Sequence, residues 1–196
     1  MTPERIQRIN TVLAQRQNDI TVILENVFDP HNVAAVLRSA DSIGIQEIFV
    51  LYTKERQKKN WGYRSSGSAI KWLTIHEFDN LDDCITAVRQ KYHCILTTHL
   101  SSDAVNLYQL DLTQNIALAF GNEQAGLTPE LLARSDGNFI IPQMGMIQSL
   151  NISVACAVTL YEAFRQKQAA GHYQQPKLPP SEVAALKHQW APYENL

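Results

Sequence analysis

The sequence predicts an α/β fold, with a mostly parallel sheet and helices on both faces. Three observations predict it. Short apolar or β-branched runs alternate with segments of helical periodicity along the whole chain. No internal repeat or low-complexity tract interrupts the alternation. Polar segments carrying Asn, Arg, Glu and Ser leave the strands at their C-terminal ends, where open α/β sheets build their sites.

Residues 3–16 read as an amphipathic helix with Ile6, Ile9, Val12 and Leu13 at helical spacing. The β-branched run 20–24 reads as a strand, and 26–31, containing Pro30, as a loop. Asn32 is a candidate N-cap for a helix over 32–43, closed by Gly44. A second strand over 47–52 leads into a basic loop, and 71–75 reads as a short strand. The segment 81–92 is helical with Ile85 and Val88 inward, and 93–98 and 116–120 are apolar strands. A helix over 128–135 has Pro129 at its first position. A strand over 139–141 ends in Pro142, and a loop over 143–149 precedes a long helix over about 150–169. A Pro- and Gln-rich linker, 172–180, and a small helix, 181–190, complete the chain. The long helix is apolar nearly all round, through Leu150, Ile152, Val154, Cys156 and Leu160. Such a helix is expected to be covered on more than one side, which points to a dimer interface.

The length of 196 residues accommodates one domain with a real core and short terminal extensions. No apolar run approaches the ~20 residues that cross a bilayer, so no membrane partner is expected. The opening stretch MTPERIQRIN lacks the apolar run of a secretory signal, so a cytoplasmic location is expected. Cys84, Cys94 and Cys156 form no C-x-x-C pair, which argues against a disulfide framework or a cysteine zinc site. The histidines, at 31, 76, 93, 99, 172 and 188, have no metal-ligand spacing. Neither G-x-G-x-x-G nor G-x-x-x-x-G-K-[ST] occurs, which counts against a Rossmann nucleotide cradle and NTP hydrolysis.

A net charge of −2 does not by itself suggest a nucleic-acid partner, but the charge is unevenly spread. Between residues 54 and 71 stand Lys54, Arg56, Lys58, Lys59, Arg64 and Lys71 against the single acid Glu55, interleaved with Trp61 and Tyr63. Arg5, Arg8 and Arg16 lie near the N-terminus. A basic loop with aromatics suits a phosphate backbone and unstacked bases, although most basic runs are only solvated surface.

Three segments carry the candidate chemistry. The first, DPHNVAAVLRSA from Asp29, contains Asn32 and an arginine, Arg38, among apolar neighbours that pre-set its guanidinium. The second, FGNEQAGLTPE from Phe120, places Glu123 between two glycines that let backbone approach a ligand. The third, IIPQMGMIQSLNISVA from Ile140, alternates apolar residues with Gly145 and ends in Ser149 and Asn151. It suits a flat, partly apolar ligand read by backbone groups, or equally a tight turn with a capped helix. Cys156, mid-helix among apolar neighbours, reads as inert core and not as a nucleophile.

Together, N-x-x-x-x-x-R, G-N-E-x-x-G and I-P-x-x-G-x-x-x-S-L-N-x-S-V-A resemble the three motifs of the SpoU/TrmH branch of the SPOUT RNA methyltransferases, over about 20–165. The resemblance implies a parallel α/β sheet with a deep C-terminal trefoil knot, S-adenosylmethionine bound in the knot, a homodimer, and 2′-O-methylation of a ribose. The Pro30-His31-Asn32 start of the first motif, the basic N-terminal helix and the helical tail resemble family members that methylate guanosine 18 in the tRNA D-loop. Ribosomal RNA, another tRNA position, or a non-catalytic RNA-binding relative are the alternatives. The implied organisation is an RNA-binding extension over 1–18, a methyltransferase domain over 19–170 and a helical tail over 171–196.

By resemblance, Arg38 handles the ribose 2′-hydroxyl. A guanidinium with a pKa above about 12 stays protonated at neutral pH, so a clamp on phosphate and hydroxyl is the favoured role, with phosphate or water taking the proton. Asn32 holds the ribose or Arg38, while Glu123, Ser149 and Asn151 orient the reacting groups. The cofactor is expected against Thr98, Gly121, Ile141 and Leu150. RNA contact is expected from Arg5, Arg8, Arg16, His31, Lys58, Lys59 and Arg64.

Overall fold

In the computed structural model, residues 2–54 and 68–191 are described. Helix α1 (Pro3–Gln15) precedes strand β1 (Ile20–Glu25), helix α2 (Pro30–Ser42) and strand β2 (Glu47–Leu51). There follow β3 (Thr74–Phe78), α3 (Leu81–Arg89), β4 (Cys94–Thr98), the two-residue β5 (Val105–Asn106) and β6 (Ile116–Phe120). The one-turn helix α4 (Pro129–Leu132), β7 (Gly137–Ile140), α5 (Ile152–Ala169) and α6 (Pro180–Trp190) complete the fold.

The strands form one sheet in the order β3-β2-β1-β6-β4-β7-β5, and every pairing is parallel. Parallel strands need crossovers, which cover both faces, so the strands read as continuous apolar runs. Val22 and Leu24 of β1 pack with Val36 and Leu37 of α2 and Cys156 and Leu160 of α5 on one face. Ile23 packs with Ile85 and Val88 of α3 and Leu131 of α4 on the other. On the β4–β7 half, strands consecutive in the chain are never neighbours in the sheet. That interleaving brings the ends of β4, β6 and β7 together.

Several boundaries differ from expectation for local reasons. Asp29, not Asn32, caps α2: its carboxylate accepts the His31 N–H at 2.8 Å, and Pro30 supplies the fixed φ of the first turn. Residues 69–71 form a 3₁₀ turn, so the edge strand begins only at Thr74. Helix α4 stops at Leu132, well short of 135. The long helix starts at Ile152, because Asn151 takes the capping position and its Oδ1 accepts the Ser153 N–H at 2.9 Å. Taken alone, the chain leaves Val154 (47% exposed) and Tyr161 (52% exposed) of α5 uncovered.

Helices α1 and α6 share a third small core of Ile9, Leu13, Leu186 and Trp190. Arg16 lies beneath it, and its placement corrects the expected RNA contact. The side chain is fully buried, donating to the Ile45 carbonyl at 2.7 Å, the Trp72 carbonyl at 3.0 Å and Asp41 at 2.7 Å. The guanidinium also lies 5.3 Å from the Trp190 ring centre. Its length lets it reach carbonyls that no backbone N–H satisfies, so the cation is consumed in docking the terminal helices. Arg16→Ala leaves the Ile45 carbonyl and the Asp41 carboxylate without their donor, and the Trp72 carbonyl with only the long 3.5 Å bond from Gln46 Nε2. It is expected to lower stability by about 3 kcal/mol, read as a shift in the urea unfolding midpoint.

Glu47, at the start of β2, is another buried polar centre. Lys91 (2.8 and 3.0 Å) and Tyr92 (2.8 Å) donate to it, and His76 Nε2 lies at 2.8 Å. Burial pushes this carboxyl up, but those partners outweigh it and hold it at about 2 instead of 4.5. A depressed folded-state pKa gives stability that is complete above pH 4.5 and lost as pH falls toward about 2. Glu47→Gln is expected to remove this part of the acid limb, on the order of 3 kcal/mol, in unfolding curves measured across that pH range.

Candidate active site

The loops after β4, β6 and β7 wall a single open cavity of about 690 Å³ at the C-terminal edge of the sheet. Thr98, Gly121, Ile141 and Leu150, expected against a cofactor, all line it, as do Glu123 and Ser149. Its floor is apolar, with Phe120, Phe139 and Ile152 all at least nine-tenths buried. No backbone N–H from Gln143 to Leu150 is hydrogen-bonded to another group among the described residues. This arrangement, an apolar slot bordered by unspent backbone donors, fits an adenosine-type ligand. Among the described residues no cluster of His, Cys, Asp and Glu suits a metal. Cys156 is fully buried and burial pushes its thiol pKa up, which removes it as a nucleophile.

The second motif is a closed turn. The Asn122 N–H donates to the Gly126 carbonyl at 3.0 Å and the Gly126 N–H to the Asn122 carbonyl at 2.8 Å. Asn122 Oδ1 accepts the N–H groups of Gln124 (2.9 Å) and Ala125 (3.1 Å). Gly126 has φ +68°, and a Cβ on Gly121 would sit 2.2 Å from the Gly126 carbonyl carbon. Both glycines are therefore dictated by the turn. Glu25, buried at the end of β1, braces the far side by accepting from the Thr128 N–H (2.7 Å) and hydroxyl (2.6 Å).

Glu123 stands at the apex of the turn and accepts a hydrogen bond from Asn32 Nδ2. Asn32 Oδ1 in turn accepts from Asn151 Nδ2 at 3.1 Å. The structure thus joins one residue from each motif in a row along the cavity rim. Ser149 is exposed and makes no hydrogen bond among the described residues.

Arg38 is not part of this row. It is exposed on α2, does not line the cavity and has no hydrogen-bonding partner among the described residues. Six residues beyond Asn32, it lies about 9 Å further along the helix and roughly a third of a turn round it. His31 is exposed beside Asn32. Arg5 and Arg8 are exposed on α1 and border a separate recess of about 270 Å³ with Trp72 and Trp190. Lys58, Lys59 and Arg64 lie outside the described residues.

Sequence reasoning missed Asn26, Asn122 and Glu25. Asn26 left a signal: an asparagine directly after an apolar strand is a candidate for the left-handed conformation it adopts here, φ +53°.

Residues 19–161 match the SpoU rRNA methylase family. The tRNA (guanosine(18)-2'-O)-methyltransferase of Escherichia coli K12 is 40% identical over 173 residues, which cover 88% of this chain and 75% of that one. The crystal structure of the TrmH/SpoU tRNA modifying enzyme of Aquifex aeolicus superposes with TM-score 0.89 at 32% identity, covering 98% of both chains. An AdoMet-bound rRNA methyltransferase from Sinorhizobium meliloti superposes with TM-score 0.68 at 28% identity, covering 79% of this chain and 59% of that one.

Gly121→Ala is expected to displace the 121–126 turn and weaken S-adenosylmethionine binding at least tenfold, or about 1.4 kcal/mol, in calorimetric titration. Gly137→Ala in β7 is the control: its added Cβ meets Leu96 at an ordinary 3.5 Å, and affinity should hold.

Proposed function

The chain belongs to the SpoU rRNA methylase family, and from that premise we propose that it methylates the ribose 2′-hydroxyl of guanosine 18 in tRNA, with S-adenosylmethionine as donor. The observation that carries this reading is the Glu123–Asn32–Asn151 row beside a cavity of cofactor size. The target nucleotide comes from the E. coli relative, 40% identical across most of this chain. A tRNA substrate supports a cytoplasmic location. No helix among the described residues is long and apolar enough to cross a membrane.

Thr98, Gly121, Ile141 and Leu150, which line the cavity, would hold the cofactor through backbone groups and apolar contact. When bound, S-adenosylmethionine supplies an electrophilic methyl group on sulfur. The protein's own task is to place a ribose oxygen and remove its proton. A 2′-hydroxyl is a weak nucleophile, so it must lose the proton in or before the transition state. Arg38 clamps the hydroxyl and an adjacent phosphate, which lowers the cost of the developing alkoxide. Phosphate or water takes the proton. Asn32, tied on both sides, fixes the ribose edge, and Ser149 is free to bond the nucleotide. The apolar floor limits the water near the reacting atoms.

The position of Arg38 outside its own chain's cavity supports a homodimer. Val154 and Tyr161, seven residues apart on α5, form an exposed apolar stripe, continued by Met144, Met146, Ile147 and Leu150 of the third motif. Such a stripe is what a second copy of α5 would cover, bringing Arg38 of one subunit to the cavity of the other. The interleaved order of β4, β6 and β7 supports a chain end threaded through an earlier loop, the knot expected of the family. Arg5, Arg8 and His31, with Lys58, Lys59 and Arg64, serve as sequence-blind RNA contacts.

The test is mass spectrometry of nucleosides and oligonucleotides from tRNA incubated with the protein and S-adenosylmethionine. The expected product is 2′-O-methylguanosine at position 18 alone. A product at another tRNA position, or on ribosomal RNA only, replaces the target; no product on either overturns the reading. Arg38→Ala should lower turnover by about 10²-fold or more with cofactor affinity unchanged.

A further inference from the structure

Asn26 is the residue where three segments meet, and every polar group it owns is used. It is 4% exposed, at the end of β1, with φ +53°. Its N–H donates to the Leu51 carbonyl at 2.8 Å. Its Oδ1 accepts the N–H of Thr53 at 3.0 Å and of Lys54 at 3.3 Å, and its Nδ2 donates to the Thr53 hydroxyl at 3.0 Å. Its carbonyl accepts from Asn122 Nδ2 at 3.0 Å. The side chain therefore fixes the point where the chain leaves β2 for the basic segment, while the backbone of the same residue holds the turn that carries Glu123.

We propose that Asn26 is a positioning residue that sets Thr53 and Lys54, at the exit of β2, in one register with the Glu123 turn, so that an RNA phosphate met at Lys54 is aligned with Glu123. The inference rests on the methyltransferase reading above and adds a residue to it. The physical argument is that a fully satisfied, buried polar junction has one low-energy arrangement. Thr53 and Lys54 are themselves exposed, but they cannot shift relative to Asn122 without leaving the buried side chain of Asn26 short of its partners. Glycine would supply the left-handed backbone at this position as well as asparagine does. Conformation alone therefore does not account for an amide here, whereas the three side-chain bonds do.

The two arms of the junction can be cut separately. Asn26→Gly keeps the backbone and the carbonyl that holds Asn122 but removes the bonds to Thr53 and Lys54. Asn122→Asp keeps the acceptor for the N–H groups of Gln124 and Ala125 but removes the donor to the Asn26 carbonyl. Steady-state methylation of tRNA is the readout. Asn26→Gly is expected to raise KM for tRNA about tenfold, with a smaller change in kcat. Asn122→Asp is expected to lower kcat by about 10- to 10²-fold at saturating tRNA, the cost of misplacing a reacting group by about an ångström. S-adenosylmethionine titration of Asn26→Gly, with unchanged affinity, shows that the fold is intact. If that variant does not fold, Thr53→Ala, which removes only the hydroxyl acceptor, must still raise KM. Wild-type KM and kcat in the folded variants, or a loss of thermal stability with no kinetic split, overturns the proposal. If the substrate proves to be another RNA, the split is read on that RNA, so the two claims fail separately.

Discussion

A carboxamide offers a donor and an acceptor from one rigid plane, and the candidate site depends on that property of Asn32. Its Nδ2 serves Glu123 and its Oδ1 serves Asn151, residues 91 and 119 positions away in the chain. An aspartate there would oppose Glu123 with a second carboxylate, and an aliphatic residue would leave both partners without a bridge. The bridge exists because Asn32 is spared the ordinary duty of capping its own helix. Asp29 does the capping and Pro30 starts the turn, which leaves the amide free to reach across the gap. The helix boundary and the chemistry are one fact here: with Asn32 as the cap, its side chain would be bound to its own backbone.

The parallel topology explains why such distant residues meet. Every crossover returns the chain to the same edge of the sheet, so the loops after β4, β6 and β7 are delivered side by side. Those loops must then be held in shape without a core of their own. The 121–126 turn solves this with a reciprocal pair of backbone bonds, two glycines and the buried Glu25 brace. The third loop is built the other way. Its exposed backbone donors have no protein partner among the described residues and its methionines are exposed, an arrangement that fits the proposed cofactor and dimer contacts.

The fold was largely legible because a two-sided parallel sheet writes itself as continuous apolar runs between amphipathic helices. The strands 20–24 and 116–120 could hardly be read otherwise. The edge pieces were less legible: β5 has only two residues, and the strand expected over 71–75 starts three residues later, at Thr74, after the 69–71 turn. In the site, Glu123, Asn32 and Asn151 were legible as motif members, but their mutual bonds are a product of topology and not of spacing. Asn26 left only the hint of a left-handed asparagine after a strand, because its bonds to Thr53, Lys54 and Asn122 are long-range and leave no local pattern. Arg16 was misjudged for a related reason. Sequence shows a charge near a basic terminus but does not show the uncapped Ile45 and Trp72 carbonyls that draw it inside.

Arg16 also bears on how a chain with a net charge of −2 can serve a polyanion. Net charge counts every cation equally, whereas a phosphate backbone responds only to those not already neutralised within reach. Lys91 is spent on Glu47, Arg89 on Asp136, Arg134 on Asp82, Arg165 on Glu162, and Lys167 and Lys177 on Asp19. Those pairs remove a large share of the basic residues from the field that RNA would meet. Arg5, Arg8 and Arg38, by contrast, have no carboxylate partner among the described residues, and Lys54 stands where the chain enters the basic segment. The acids are thus not diluting the cationic surface. Asp19, Asp41, Glu47, Asp82, Asp136 and Glu162 hold cations that have structural work, while Arg5, Arg8, Arg38 and Lys54 have no carboxylate partner among the described residues.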